Sequence, residues 1–129
     1  MAQVKIYGLK SNLARNKVMI SDGIHKAIVQ ALAYPVEKKF QRFISLAPDE
    51  FYYPSDRSEE YIIIEISMFE GRSKQAKKAL IMSLYAEVFS ASGICAQNIE
   101  ITIFETPKEN WGIRGVPANE LELGYQVNL

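Results

Sequence analysis

Tyr61-Ile62-Ile63-Ile64-Glu65-Ile66-Ser67-Met68-Phe69, running on into Glu70-Gly71-Arg72-Ser73, is the stretch that decides the fold. Its first part is the most apolar and β-branched run of the chain, which predicts the central strand of a sheet. The last four residues turn out of that strand. Gly71 admits the backbone angles a tight turn needs, and Ser73 is placed to cap a following helix. Arg72 is left at the lip between strand and helix, where an anionic ligand would meet a guanidinium.

Downstream, a helix is predicted from about Lys74 to Ala91, with Ala76, Leu80, Leu84 and Val88 flanked by Ile81, Tyr85 and Phe89 in one wide apolar stripe. Ser92-Gly93 ends it. Ile99, Ile101 and Ile103 then alternate with Glu100, Thr102 and Phe104, as a strand does. Upstream, the segment from Ala47 to Glu60 has the composition of a surface loop pinned by Phe51-Tyr52-Tyr53. Phe40 to Leu46 reads as another strand. Before it, Ser11 or Asn12 is expected to cap a helix carrying Val18, Ile20, Ile24, Ala27, Ile28, Ala31 and Leu32, stopped by Pro35 soon after Ala33. Gly23 weakens this helix by about 1 kcal/mol against alanine. The first strand places Val4, Ile6 and Gly8 on one side, with Gln3, Lys5 and Tyr7 on the other.

A shift of about sixty residues lays Ile20 on Ile81, Ile24 on Tyr85, Ile28 on Phe89 and Phe43 on Phe104, so one βαβ unit is used twice. Right-handed crossovers put both helices on the same sheet face. The fold class is therefore an α/β (α+β) two-layer sandwich, a four-stranded mixed sheet under two helices, in a single domain over 1–129. Repeat one covers about 2–46, repeat two about 60–105, and a carboxy-terminal tail 106–129 closes on a short alternating piece from Leu121 to Val127. Two architectures share this element order: a ferredoxin-like interleaving of the units, or two units side by side about a pseudo-twofold axis. Gln3, Lys5, Tyr7, Glu65, Ser67, Glu100 and Thr102 line the second sheet face, which meets solvent, RNA or another subunit.

A length of 129 residues buries roughly two thirds of the surface of the unfolded chain, so no staple is needed. One cysteine, Cys95, precludes an internal disulfide and suits a cytoplasmic setting, and no Cys and His cluster has metal-ligand spacing. Neither a signal peptide nor a membrane-spanning run is expected. With 15 basic and 15 acidic residues, the chain lacks the positive field that nucleic-acid or membrane-surface binding rests on. Lys74, Lys77 and Lys78 read as a solvated helix face.

Several residues have both a functional and a structural reading. Arg72 clamps a carboxylate with two parallel hydrogen bonds, or pairs with Glu70 or Asp56. Trp111 and Arg114 line a pocket from a glycine-flanked loop, or serve as a tail anchor and an interface ion pair. Arg42, in an apolar strand, calls for an acidic partner, and an intersubunit salt bridge is the better reading. Phe51-Tyr52-Tyr53 and Asp56-Arg57 form a pocket rim or packing. His25 reads as a surface or capping histidine, and Cys95 as inert.

The doubled βαβ unit, the turn Phe69-Glu70-Gly71-Arg72-Ser73 and the ending Glu105 to Gly115, with its Asn110-Trp111-Gly112, resemble the tautomerase superfamily, in particular its fused-repeat branch that includes malonate semialdehyde decarboxylase. The resemblance covers nearly the whole chain. It implies a homotrimer of pseudo-symmetric protomers, cofactor-independent isomerase or decarboxylase chemistry, and a small carboxylate or 2-oxo acid as ligand. It selects Arg72 as the anion-binding arginine and Trp111 as the tail tryptophan, with Arg114 beside it. The family's amino-terminal proline is replaced by Ala2, whose α-amine is a base only if Met1 is removed. The family's acid after the first helix is replaced by Lys38. The alternative is a non-catalytic trimer that binds a small anion or a partner.

Overall fold

The computed structural model describes residues 2–121, over which the elements run β1 (Ala2–Leu9), α1 (Lys10–Leu32), β2 (Gln41–Leu46), β3 (Ile62–Phe69), α2 (Lys74–Ser92), β4 (Ile99–Thr106), β5 (Gly112–Ile113) and β6 (Val116–Pro117). The strand expected toward Val127 lies, from residue 122 on, outside the described residues. The four main strands form one sheet in the order β2-β1-β3-β4. β1 pairs with β2 and β3 with β4 in parallel, while β1 and β3 meet antiparallel. The two βαβ units therefore stand side by side and are not interleaved. β3, the longest apolar run, and β1, whose inward side is apolar, take the centre, where both edges of each strand are hydrogen-bonded.

Both helices cover one sheet face. Val4 and Ile6 of β1 and Ile62, Ile64, Ile66 and Met68 of β3 meet Ile20, Ile24, Ile28 and Leu32 of α1 and Leu80, Leu84 and Val88 of α2 in the main core. The apolar stripes are narrower than the sequence pattern suggests, since Val18 and Phe89 are 71% and 56% exposed. The helices also pack on each other. At their closest approach Gly23 lies against α2, where an added Cβ would stand 2.7 Å from the Glu87 carbonyl oxygen and 2.9 Å from the Val88 Cα. Gly23 is thus less a weak point of α1 than the place where the two helix backbones touch.

The ends of the helices differ from one another. Ser73 caps α2 as expected, its hydroxyl accepting the Ala76 N–H at 3.1 Å, and Gly93 closes it at φ 79°. α1 instead starts directly from extended Leu9 with no side-chain cap. Ser11 and Asn12 lie within its first turn. Asn12 is buried there, donating to the Glu60 carbonyl at 3.0 Å and accepting from Asn16 Nδ2 at 2.7 Å, so it ties the helix to the loop before β3. A buried amide must be hydrogen-bonded, and that demand overrides its capping preference.

Phe51 pins the long loop, stacking on Tyr61 at 5.6 Å between ring centroids and meeting Tyr53 edge-on, beside Leu9. At the other end of the sheet Ile113 and Ala118 pack on Phe69. Between these clusters the outer face is polar: Glu65 receives the Tyr7 hydroxyl at 3.0 Å and lies 3.8 Å from Lys5 Nζ. Among the described residues no helix is long and apolar enough to cross a membrane, and no acidic, His and Cys group is arranged for a metal.

Candidate active site

Arg72 is placed by the way β3 ends. The Glu70 N–H bonds to the Thr106 carbonyl at 3.0 Å, holding the strand end against β4, and Gly71 at φ 123° turns the chain back toward the fold. Arg72 follows and is only 5% exposed. Its Nη1 donates to the Phe69 carbonyl at 3.4 Å, a long bond, while Nε and Nη2 have no partner among the described residues. Neither Glu70 nor Asp56 pairs with it. Asp56 lies 2.8 Å from Arg57, and the acid whose charge does reach Arg72, Glu105, is bonded to Lys77 at 2.8 Å. Burial lowers the pKa of Arg72, with Tyr34 and Glu105 opposing. A buried guanidinium with two idle nitrogens is costly alone and suited to the paired oxygens of a carboxylate.

Ala2 approaches the same end of the sheet. It pairs with Met68, the residue before Phe69, and is 3% exposed. Its N–H donates to the Tyr34 hydroxyl at 2.9 Å. Tyr34 stands just past α1, where left-handed Ala33, φ 50°, turns the chain and the Tyr34 N–H returns to the Val29 carbonyl. The ring is buried, which raises the pKa of the hydroxyl, whereas the Ala2 N–H and the Arg72 charge lower it. Ala2 and Tyr34 therefore form a buried, hydrogen-bonded group beside the end of β3 that Arg72 follows.

The tail residues are divided. Trp111 packs edge-on against Phe69 with centroids 5.0 Å apart, so it braces the residue whose carbonyl holds Arg72. Arg114 occupies the exposed tip of the β5–β6 hairpin, at φ 50° with Gly115 at φ 93°, and no contact among the described residues joins it to Arg72. Lys38 lies in a turn closed by its N–H on the Pro35 carbonyl. His25 ties α1 to the following loop, Nε2 standing 2.6 Å from the Val36 carbonyl. Arg57 faces the Tyr61 ring and reaches Glu100, which also receives the Tyr61 hydroxyl. That arrangement favours packing over a pocket rim. Tyr34 is the member of the group that sequence reasoning missed. Its signal was an aromatic residue between a helix end and Pro35.

Two βαβ units side by side in one mixed sheet, with a buried arginine after the third strand, give the fold of a tautomerase-like protein. A model of the tautomerase enzyme family matches residues 38–114, and the chain belongs to that family. A 2-hydroxymuconate tautomerase of Comamonas testosteroni is 46% identical over 57 residues, 44% of this chain and 90% of that protein. A probable tautomerase of Bacillus subtilis is 24% identical over 108 residues, 80% of this chain and 85% of that one. Among solved structures, a malonate semialdehyde decarboxylase superposes with a TM-score of 0.77 at 17% identity, covering 85% of this chain and 88% of its own. A fused 4-OT symmetric trimer gives 0.76 at 17%, covering 91% and 96%. Both structural likenesses concern the fold. Nothing in the comparisons supports the non-catalytic alternative.

Proposed function

We propose that the chain is a cofactor-independent tautomerase acting on a small 2-oxo carboxylate, working as one domain over 1–129 within a homotrimer. The observation that carries this reading is the buried Arg72 with Nε and Nη2 unpartnered among the described residues. Arg72 holds the carboxylate in a site from which water is largely excluded, where a fixed charge acts strongly. The base is the α-amine of Ala2, released when Met1 is removed. Such an amine has an ordinary pKa of about 7.7 to 8.0, close to the range of a neutral-pH base. It takes the proton beside the carbonyl and returns it at the other end of the enol. Trp111 supplies a wall by bracing Phe69, and Arg114 reaches from its exposed hairpin to the site of a neighbouring subunit. The trimer is supported by the polar outer sheet face and by neighbours described as fused 4-OT trimers. The single, exposed cysteine suits the cytoplasm.

The test is ketonisation of the enol of phenylpyruvate, using protein whose amino terminus at Ala2 is established by mass. Turnover above buffer is expected. Arg72→Ala should lower kcat/KM roughly 100-fold, the worth of a lost charge-assisted pair. Turnover absent with the Ala2 amine free, or unaltered in Arg72→Ala, would refute the reading.

A further inference from the structure

Between Lys78 and Ile94 the chain carries a single charged residue, Glu87, which is turned toward α1, 3.7 Å from Lys26 and with its side chain only 17% exposed. The side of α2 facing away from the core is therefore uncharged over most of its length. It presents Ala79, Met82, Ala86 and Phe89, with Gly93 just past the last turn, and each of them is exposed. Met82 and Phe89 reach 57% and 56%. The outward side of α1 differs, since it carries Arg15, Asp22 and Lys26. An apolar row left in water, on a helix whose opposite side already fills the core with Leu80, Leu84 and Val88, marks a contact surface.

Ala79, Met82, Ala86, Phe89 and Gly93 recur at alternating steps of three and four residues, the spacing of a seam between two helices. Small and large side chains alternate along it. Two such rows interlock when each large residue meets a small one. A second copy of α2 running antiparallel, about a twofold axis near Leu84, meets that condition: Met82 of each chain lies over Ala86 of the other, and Phe89 over Ala79. A parallel copy would set Met82 on Met82 and Phe89 on Phe89. The charges select the same direction. Lys74 and Lys78 stand at the amino end of α2, and an antiparallel copy brings its carboxyl end there, where the last carbonyls are partly negative. A parallel copy would set Lys78 against Lys78.

We infer that the outward side of α2 is a docking surface for a second copy of this chain, held antiparallel in a twofold contact. It uses the helix layer, so it holds whether or not the sheet face forms the homotrimer, and it is separate from the Arg72 site. One helix from each chain buries less than the roughly 1,600 Å² of a standard stable interface, so the pair is reversible and is read by trapping rather than by mass.

Covalent trapping decides both the contact and its direction. Cys95→Ser removes the chain's single thiol, and Ser83→Cys or Gln75→Cys then supplies one at a chosen place. In the antiparallel pair the two copies of position 83 flank the twofold axis, whereas those of position 75 stand on the order of 27 Å apart along the helices, from the rise per residue. A short bismaleimide should join two chains through position 83 and leave position 75 single, seen as a two-chain band on a denaturing gel. Adding Met82→Lys should lower the joined fraction by roughly fivefold or more, the effect of burying an unpaired charge. Its melting temperature should stay unchanged, because the position is 57% exposed in the single chain. Joining at position 75, joining at neither position, or a yield untouched by Met82→Lys overturns the inference. Flotation of the wild type on vesicles of anionic phospholipid, with no joining at position 83, overturns it as well and gives the face to a membrane surface.

Discussion

Arg72 has opposite effects in the empty and the occupied site. With two guanidinium nitrogens idle in a buried setting it burdens the ligand-free fold, and an anion relieves that burden. Arg72→Met, which keeps an unbranched side chain of similar reach, should raise the melting temperature of the ligand-free protein by a few degrees, a gain on the order of 1 kcal/mol. It should also abolish stabilisation by carboxylates in the same calorimetric scan. An unchanged or lowered melting temperature would show that the guanidinium is better satisfied than its contacts indicate. Arg72 was legible in the sequence because its role follows from local facts, a strand, a glycine and a capping serine in succession. Tyr34 was not legible, because its partner Ala2 is 32 residues away and meets it only once β1 has paired with β3.

The helices show where periodic patterns stop being informative. Spacing identified the inward faces of α1 and α2, and Leu80, Leu84 and Val88 are fully buried as expected. What it could not show is that the helices touch backbone to backbone, which gives Gly23 its purpose, or that Val18 and Phe89 stay exposed. Two effects compete at Gly23. Helix propensity alone makes Gly23→Ala favourable by about 1 kcal/mol. A methyl group 2.7 Å from the Glu87 carbonyl forces the helices apart, and overpacking against backbone costs about 1–3 kcal/mol. Packing should win, so urea denaturation of Gly23→Ala is expected to show a net loss of up to about 2 kcal/mol. A net gain would mean that the helix pair shifts freely to accommodate the methyl. The missing cap on α1 has a similar lesson: Asn12 looks like a cap in sequence, and its burial beside Glu60 decides otherwise.

At the scale of the whole molecule, the outer sheet face is the surface left without a covering layer. It carries Tyr7, Lys5 and Glu65 at its centre and Phe104, 47% exposed, on β4. In the proposed homotrimer this face is the natural contact, and Phe104→Glu places an uncompensated charge on it. Sedimentation velocity at tens of micromolar should give a mass near three chains for the wild type and a shift toward one chain for the variant. A wild-type mass of a single chain would count against the trimer.

The pseudo-twofold relation between the βαβ units has a further consequence, for stoichiometry. Symmetry creates two equivalent strand ends, one where Ala2 meets Met68 and one where Gly8 meets Ile62. A duplicated chain could in principle carry a ligand at each. In this molecule the second end is filled: Phe51, Tyr53 and Tyr61 close over Leu9, and the Asn12 amide is spent on the Glu60 carbonyl. No arginine corresponds to Arg72 there, since the repeat shift of about sixty residues sets Ser11 and Asn12 opposite it. Fusion has let one half of the pair become scaffold, so that saturation should be reached at one anion for each chain.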